Sequence, residues 1–420
     1  MRTTPADTVR CRFFAPVDAA LGQIDSTRRC PGFADTDYLE SGVGRVISDA
    51  QSGRDWVQRL RLWIDARLSV SNFFDALKSP RRLRFLFDVS EHVRRALDAD
   101  AQGDPLAPHR ELDGFEVYAS DGHFEQGSAH PLRAQLKGQP ACTFFSLNLR
   151  SHSMNLLDIA RPRRKREHDM RALKRVGSTR LRFGAPKGRK VLHVYDPAGL
   201  DYAQWHAWKA RGVYFLSREK KNSAAYVVGL SPWDRSDPKN RGVLSDELIG
   251  TSGQRMLRRV HYRDASSGVT YAFLTNEMTL APGLIAFLYK LRWDIEKVFD
   301  QKKNKLQEKK AWAASEVARC QQALFLGLAH NLMVLFEREL QRQEGLRDFK
   351  CEEKRRRRLE ELKKALRARG QPLNPLVEHC TRITQRSLQF VRWLRACLFT
   401  PTPYSVGLAH LRPLMERYLS

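Results

Sequence analysis

The sequence predicts a mixed α/β fold in which a sheet is flanked by helices, carries a β-rich insertion, and has helical regions at both ends. Three observations lead to this prediction. Apolar residues follow helical spacing from about Asp55 to Leu97, alternate in short runs between about 115 and 275, and return to helical spacing from Pro282. With 420 residues, 42% of them hydrophobic, the chain is long enough for two or three domains with buried cores.

The N-terminal region, residues 1–105, is predicted to be helical and is a candidate DNA-binding region. Its first 50 residues show weak periodicity, whereas Trp56, Leu60 and Trp63 recur at four- and three-residue steps. Basic side chains on these helices either contact a DNA backbone or form an ordinary solvated face. They are Arg81, Arg82, Arg84, Arg94 and Arg95.

The central region, residues 106–345, is predicted to hold the sheet. Phe115–Asp121 and Lys190–Asp196 are predicted strands, and each ends on a carboxylate. Functional groups gather at strand ends in mixed sheets, so Asp121 and Asp196 are candidate site residues. The alternatives are Asp113, which also precedes a glycine, Asp158, which lies at the end of a predicted hairpin, and Asp201, the alternative to Asp196.

Other elements of the central region follow from the same patterns. Residues 143–149 and 153–159 alternate like a hairpin, and a short helix at 202–210 precedes a strand at 213–217. Short β-like runs among Gly, Ser, Pro and Asp clusters predict a β-rich insertion over 219–275.

A helix is predicted over Pro282–Leu306, and it presents a stripe of polar side chains. At about 100° per residue, Tyr289, Arg292, Glu296 and Lys303 lie within roughly 60° of one another. Such a stripe suits phosphate chemistry, because the carboxylate can hold a divalent metal while the cations and hydroxyl hold phosphates. The ordinary alternative is a surface salt bridge between Arg292 and Glu296, which are four residues apart.

The C-terminal region, residues 346–420, is predicted to be basic and helical. It follows an apolar-faced helix over 314–340 and contains the basic run Lys354–Arg369. We expect this run to form a charged helix or an extended arm.

The charge of the chain predicts a polyanionic partner. Lys and Arg number 73 against 47 Asp and Glu, a net charge of +26. Nucleic acid is the usual partner of so basic a protein, and a ribosome-associated protein is the alternative. No apolar run is long enough to span a membrane, and the N-terminal residues lack a signal-peptide core, which predicts a cytoplasmic, nucleoid-associated protein.

Several common classes of protein are excluded by the motifs that the sequence lacks. The 7 cysteines include no Cys-x-x-Cys pair, so neither a zinc ribbon nor a disulfide framework is indicated. Phosphate-binding Walker loops, the His-Glu-x-x-His zinc motif and the nucleophile elbow are also absent. The usual ATPase, metalloprotease and α/β-hydrolase interpretations are therefore excluded.

The polar stripe resembles a known signature. Tyr289-x2-Arg292-x3-Glu296-x6-Lys303, within LYKLRWDIEKVFDQKKNKL, is similar to the YREK signature of bacterial DDE insertion-sequence transposases of the insertion-sequence-four family. VYASDGHF resembles the block around the family's first aspartate, and KVLHVYDPAGLDYAQWHAWKARGVYFLSREK resembles the block around its second. FLTNE resembles the segment before its last helix, and the resemblance covers about 111–340. It departs from the family at His123 and Pro197, where Thr or Ser and a basic residue are more usual.

The resemblance implies a ribonuclease-H-like sheet and a DNA transposase. It implies that Asp121, Asp196 and Glu296 hold two Mg²⁺ ions, with Mn²⁺ able to substitute. It implies that Arg292 and Lys303 contact DNA phosphates, with Tyr289 beside them.

Transposon terminal repeats and target DNA would then be the double-stranded DNA partners, bound by a homodimer. Cleavage of transposon ends would be followed by joining of the 3′-hydroxyl to target DNA. The alternatives are a domesticated DNA-binding protein without catalysis and a metal-dependent nuclease without strand transfer.

Two tryptophans carry further expectations. We expect Trp293, beside the stripe, to pack in the core beneath the site rather than contact DNA. Trp233, in the insertion, is either a surface aromatic in a turn or, as the resemblance implies, a stacking partner for a flipped base.

Overall fold

The structure is a computed structural model of the chain. It describes residues 7–24, 33–63, 69–100, 102–128, 140–160, 169–197, 201–220, 223, 225–251, 255–306, 308, 310–377 and 385–416. None of the helices within these ranges is long and apolar enough to cross a membrane.

The described strands form one sheet of nine strands in the order β3-β2-β1-β4-β5-β9-β8-β7-β6. Strands β1, β4 and β5 are parallel, and the remaining neighbours pair antiparallel. The strands are β1 (Phe115–Glu125), β2 (Ala141–Asn148), β3 (Met154–Ile159), β4 (Lys190–Val194), β5 (Val213–Arg218), β6 (Tyr226–Leu230), β7 (Val243–Thr251), β8 (Arg255–Arg263) and β9 (Thr270–Thr275). A mixed sheet flanked by helices is therefore confirmed, and the order and directions of β1 to β5 agree with the ribonuclease-H-like expectation.

Helices precede, interrupt and follow the sheet, which confirms the helical regions at both ends of the chain. The helices are α1 (Val9–Leu21), α2 (Asp35–Ile47), α3 (Gly53–Trp63), α4 (Val70–Ala76), α5 (Pro80–Ala99), α6 (Asp169–Leu181), α7 (Tyr202–Lys209), α8 (Pro282–Leu291), α9 (Trp293–Asp300), α10 (Glu316–Glu344), α11 (Phe349–Ala368), α12 (Leu388–Phe399) and α13 (Tyr404–Glu416).

The long helix α10 lies at the centre of the packing. It contacts β3, α2 and α5, and most of its residues are buried. The N- and C-terminal regions also meet, since the backbone of Thr8 bridges Pro403 and α1 contacts α12. One buried apolar cluster consequently runs from Val9 to Met415.

Helices α1 and α2 lie in residues 1–50, where the sequence shows only weak periodicity. Tertiary packing explains α2, because Gly42 allows its backbone to approach the ring of Phe325 on α10 so closely that a Cβ atom would overlap the ring. Nine of the thirteen residues of α2 are buried, so it has no clear polar face for a periodicity to mark.

Three predicted elements have different bounds in the structure. Strand β4 ends at Val194, so Asp196 lies two residues beyond the strand that was predicted to end on it. Strand β1 does not end at Asp121 but runs on to Glu125, because β2 continues to pair with it. The predicted helix over Pro282–Leu306 is divided at Arg292 into α8 and α9, and it ends in a π-helical turn, Gln301–Lys305.

Candidate active site

The two candidate aspartates lie side by side at the end of the parallel pairing. Ala119 of β1 pairs with Val194 of β4, and each aspartate lies two residues further along its own strand direction. Neighbouring strands are about 4.8 Å apart, so this register brings the two carboxylates to the same edge of the sheet. Asp121 and Asp196 accordingly line one narrow cavity, together with Tyr195 and Phe145.

Glu296 reaches the same place from α9, and Arg292 connects it to the strands. Arg292 Nη2 lies 2.7 Å from Glu296 Oε1, and Arg292 Nη1 lies 3.7 Å from Asp121 Oδ2. Asp196 and Glu296 line a common cavity with Arg292. Arg292 thus contacts Asp121 and Glu296, and Asp196 lines one cavity with each of them, although 75 and 100 residues separate the three acids in the chain.

The surroundings keep Arg292 charged. Its side chain is 7% exposed, and burial alone would lower the guanidinium pKa. The neighbouring Tyr289, Glu296 and Asp121 outweigh that effect, and the pKa is raised. The positive charge of the Arg292 guanidinium offsets the repulsion between neighbouring carboxylates.

A cavity of about 460 Å³ opens from Asp196 and Glu296 toward the surface. Three cationic side chains line it, namely Arg218 at the end of β5, Lys290 and Arg292. Aromatic rings form much of the remaining wall, and they belong to Tyr262, Tyr271, Phe273, Phe287, Tyr289 and Trp293. Positive charge and aromatic faces around carboxylates are suited to a nucleic-acid strand.

A second cavity of about 390 Å³ extends this opening. The two cavities share five lining residues, which are Tyr262, Asp264, Lys290, Asn374 and Val377. Three exposed arginines, Arg241, Arg263 and Arg369, add cations to the second cavity. Together the two cavities form a trough, here called the basic cleft, that runs from the acids past the β7–β9 strands to the end of α11.

Tyr289 lies in the wall of the cleft rather than on the surface. Its side chain is 8% exposed, and its ring lies 4.8 Å from the ring of Phe273. Burial raises the pKa of the phenol, so the hydroxyl stays protonated. Tyr289 can therefore donate a hydrogen bond at the position that the sequence predicted for it.

Lys303 does not follow the stripe that regular helical spacing predicted. It lies in the π-helical turn, where the wider i→i+5 pattern breaks the register with α9. Its side chain is exposed, but it is not among the described lining residues of the cleft. The common-stripe prediction is thus wrong for Lys303, while Tyr289, Arg292 and Glu296 do line one cavity.

The expectation of core packing is wrong for Trp293. Its side chain is 56% exposed, and it lines the cleft with Arg292 5.6 Å from its ring. It begins α9 directly after the break at Arg292, and this break turns the indole outward instead of beneath the site. Trp233 is partly exposed in the segment between β6 and β7, with Arg235 4.9 Å from its ring.

The alternative aspartates have structural roles or lie elsewhere. Asp201 caps α7 by accepting a hydrogen bond from the Gln204 backbone at 3.0 Å, and it pairs with Lys174. Asp113 is exposed in the turn before β1, and Asp158 on β3 pairs with Arg175. None of the three lines the narrow cavity or the basic cleft, as far as the described residues define them.

Several N-terminal arginines proposed for DNA contact point inward. Arg82 is buried and donates to the Phe33 carbonyl at 2.7 Å, and Arg94 is buried against Glu91. Arg81 makes two 2.7 Å hydrogen bonds to Asp35. Of the five, Arg84 and Arg95 are the exposed ones.

The donor chemistry of the site suits a hard divalent cation. Carboxylate oxygens are the ligands that Mg²⁺ and Mn²⁺ prefer, and they come from Asp121 on β1, Asp196 just beyond β4 and Glu296 on α9. In the arrangement shown, however, Arg292 contacts two of these acids. Among the described residues, no group of three His, Cys, Asp or Glu is arranged to hold a metal ion.

Sequence patterns missed two cations of the larger cavity. Arg218 ends β5, the strand next to β4, and Lys290 precedes Arg292 by two residues. The position of Arg218 at a strand end beside the Asp196 strand is a signal that could have identified it.

Comparison with known proteins gives one family match. The family profile described as the transposase DDE domain matches residues 194–332, which include Asp196, Tyr289, Arg292, Glu296 and Lys303. Asp121 lies outside the matched segment. None of the curated proteins matches the chain.

A solved structure of the piggyBac transposase synaptic complex with hairpin DNA is similar at 11% identity and a TM-score of 0.39. The match covers 98% of this chain and 80% of that one. A similarity this low does not establish a common fold.

Proposed function

We propose that the protein is a DDE-type DNA transposase of the YREK group, which cleaves transposon ends and joins the freed 3′-hydroxyl to target DNA. The observation on which the proposal rests is that Arg292 contacts Asp121 and Glu296, while Asp196 lines one cavity with Asp121 and the basic cleft with Glu296. The match of residues 194–332 to the transposase DDE domain supports the same chemistry.

In this proposal Asp121, Asp196 and Glu296 hold two Mg²⁺ ions, which Mn²⁺ can replace. Bound metal would activate the attacking hydroxyl and stabilise the leaving oxygen. The positions of the acids support this proposal, because Asp121 lies on β1, Asp196 follows the neighbouring strand β4 by two residues, and Glu296 lies on a helix that packs against β1.

The cations and the phenol hold the DNA. Arg292 offers a planar fork of donors to a phosphate, and Tyr289 adds a protonated hydroxyl from the wall. Lys303 contacts a phosphate from its exposed position on the π-helical turn. Pairing two transposon ends further requires two copies of the chain, so we propose a homodimer in the DNA complex.

A plasmid excision assay tests the proposal. The plasmid carries the coding sequence with its natural flanking DNA, and the products are scored for both excision and joining. We expect Glu296→Gln to abolish cleavage in Mg²⁺ and to keep most of the DNA affinity, because the carboxylate is lost but the cations of the cleft remain. Glu360→Gln, the same change at a helical glutamate on α11 paired with Lys363, is the matched control and should cleave normally.

The outcomes separate the alternatives. Cleavage by Glu296→Gln at the wild-type rate would refute the site assignment. Wild-type protein that binds DNA but leaves it intact would be a DNA-binding protein without catalysis, and cleavage without joined products would indicate a nuclease.

A further inference from the structure

Arg292 has more donors than partners. An arginine carries five N–H donors, yet Nε and Nη1 of Arg292 have no hydrogen-bond partner among the described residues. The side chain is nevertheless buried, and it lines the cleft beside the acids. The two unused donors are themselves buried, so a guanidinium that moves toward the cavity would gain an anionic partner for them.

The same guanidinium lies between two of the acids. Its 2.7 Å contact is to Glu296 and its 3.7 Å contact is to Asp121. A divalent metal ion bound by both carboxylates would have to displace the Arg292 guanidinium from them. Arg292 and a divalent ion therefore compete for the same oxygens.

We propose that Arg292 is an exchangeable counter-ion that couples metal binding to DNA binding. This inference rests on the proposed function. Without DNA, Arg292 neutralises Asp121 and Glu296 and opposes metal entry. When a DNA phosphate in the cleft binds the Arg292 guanidinium, the guanidinium leaves Asp121 and Glu296, and the affinity of these acids for the divalent ion rises.

The coupling must act in both directions. If DNA raises the affinity for metal by some factor, then metal raises the affinity for DNA by the same factor. The protein would thus assemble its metal site mainly where a DNA strand is already in place, which limits cleavage to bound substrate.

Mn²⁺ binding, followed by electron paramagnetic resonance, tests the coupling without relying on activity. The titrations use wild-type protein with and without a short blunt-ended DNA duplex, and Mn²⁺ taken up by the duplex alone is subtracted. We expect the duplex to lower the Mn²⁺ dissociation constant of the wild type by at least about fivefold. In Arg292→Gln, we expect a comparable tightening without DNA and no further change when the duplex is added.

Two variants serve as controls. Lys297→Gln removes one positive charge from the same helix, but Lys297 pairs with Asp294 instead of the candidate acids. It should change Mn²⁺ affinity by less than about twofold, since its exposed charge is screened by salt. Arg292→Lys keeps the charge but loses the fork, and it should give an intermediate coupling even if Arg292→Gln fails to fold.

The results distinguish this inference from the proposed function. Equal Mn²⁺ affinity of the wild type with and without the duplex would overturn the coupling, and so would equal effects of Arg292→Gln and Lys297→Gln. Neither result would contradict the proposed function, because wild-type cleavage in the excision assay does not depend on this coupling. Loss of the proposed function would instead appear as wild-type protein that neither cuts nor joins DNA.

Discussion

Replacement of Lys302 by methionine is expected to stabilise the protein. Lys302 lies in the π-helical turn with its side chain 1% exposed, and its ammonium has no hydrogen-bond partner among the described residues. The nearest favourable contact is the ring of Phe145, 3.9 Å from Nζ. Burial lowers the pKa of Lys302 from 10.5 to about 7, against the attraction of Glu125 and Glu308.

The size of the gain follows from this shift. The pKa falls by 10.5 − 7, roughly 3.5 units, which is about 5 kcal/mol at 1.36 kcal/mol per unit. Loss of the cation–π contact offsets about 1–2 kcal/mol of that amount. Methionine has a similar length and no charge, so we expect a net gain of about 3 kcal/mol in the free energy of unfolding.

The gain depends on pH with a definite sign. Between pH about 7 and 10.5 the unfolded chain binds a proton at Lys302 that the folded protein does not, so wild-type stability rises with pH across this window. The advantage of Lys302→Met is therefore full below pH about 7 and fades toward pH 10.5.

Urea unfolding of wild type and Lys302→Met at about pH 6 and about pH 9 measures both effects. Lys303→Met is the matched control, since Lys303 is the exposed neighbour and should change stability by less than about 0.5 kcal/mol. Cleavage should survive Lys302→Met but fall in Lys303→Met. A loss of stability at the lower pH, or equal gains at both, would refute this account of the buried ammonium.

Two further predictions concern the cleft. Gly283→Ala should lower the free energy of unfolding by about 1–3 kcal/mol, because the added Cβ would overlap the backbone oxygen of Lys239. Gly327→Ala is the control: its Cβ would have its nearest neighbour at 3.7 Å, so the free energy of unfolding should stay the same or rise by up to about 1 kcal/mol. Thermal unfolding of both variants checks this, and equal effects would contradict it. Replacing Arg263 and Arg369 together by glutamine should make the slope of log DNA affinity against log salt concentration shallower by about 2, because each lost phosphate contact accounts for about 0.9. An unchanged slope in a salt titration would show that these arginines do not contact DNA.

The sequence predicted the strands that precede or contain the aspartates, because strands buried on both faces leave short apolar runs bounded by turn residues. It also identified Glu296 and Arg292 by helical spacing. It could not distinguish Lys302 from its neighbour Lys303, since adjacent lysines carry the same local signal. Only the π-helical turn decides that one is buried and the other exposed.

The inward arginines of the N-terminal region show the same limit. Arg82 and Arg94 look like surface charges in an amphipathic helix, but acceptors distant in the sequence or on the same helix hold them in the interior. Trp293 shows the reverse, because an aromatic residue in an apolar helix predicts burial, and the break at Arg292 exposes it.

The sequence alone determined which residue types are present for the chemistry and which local elements carry them, since both depend on composition and short-range periodicity. Tertiary structure alone decided that Asp121 and Glu296 share the guanidinium of Arg292 and that Asp196 lines a cavity with each of them. The reason is that strand register and helix packing depend on contacts between residues far apart in the chain, and periodicity along the chain does not record them.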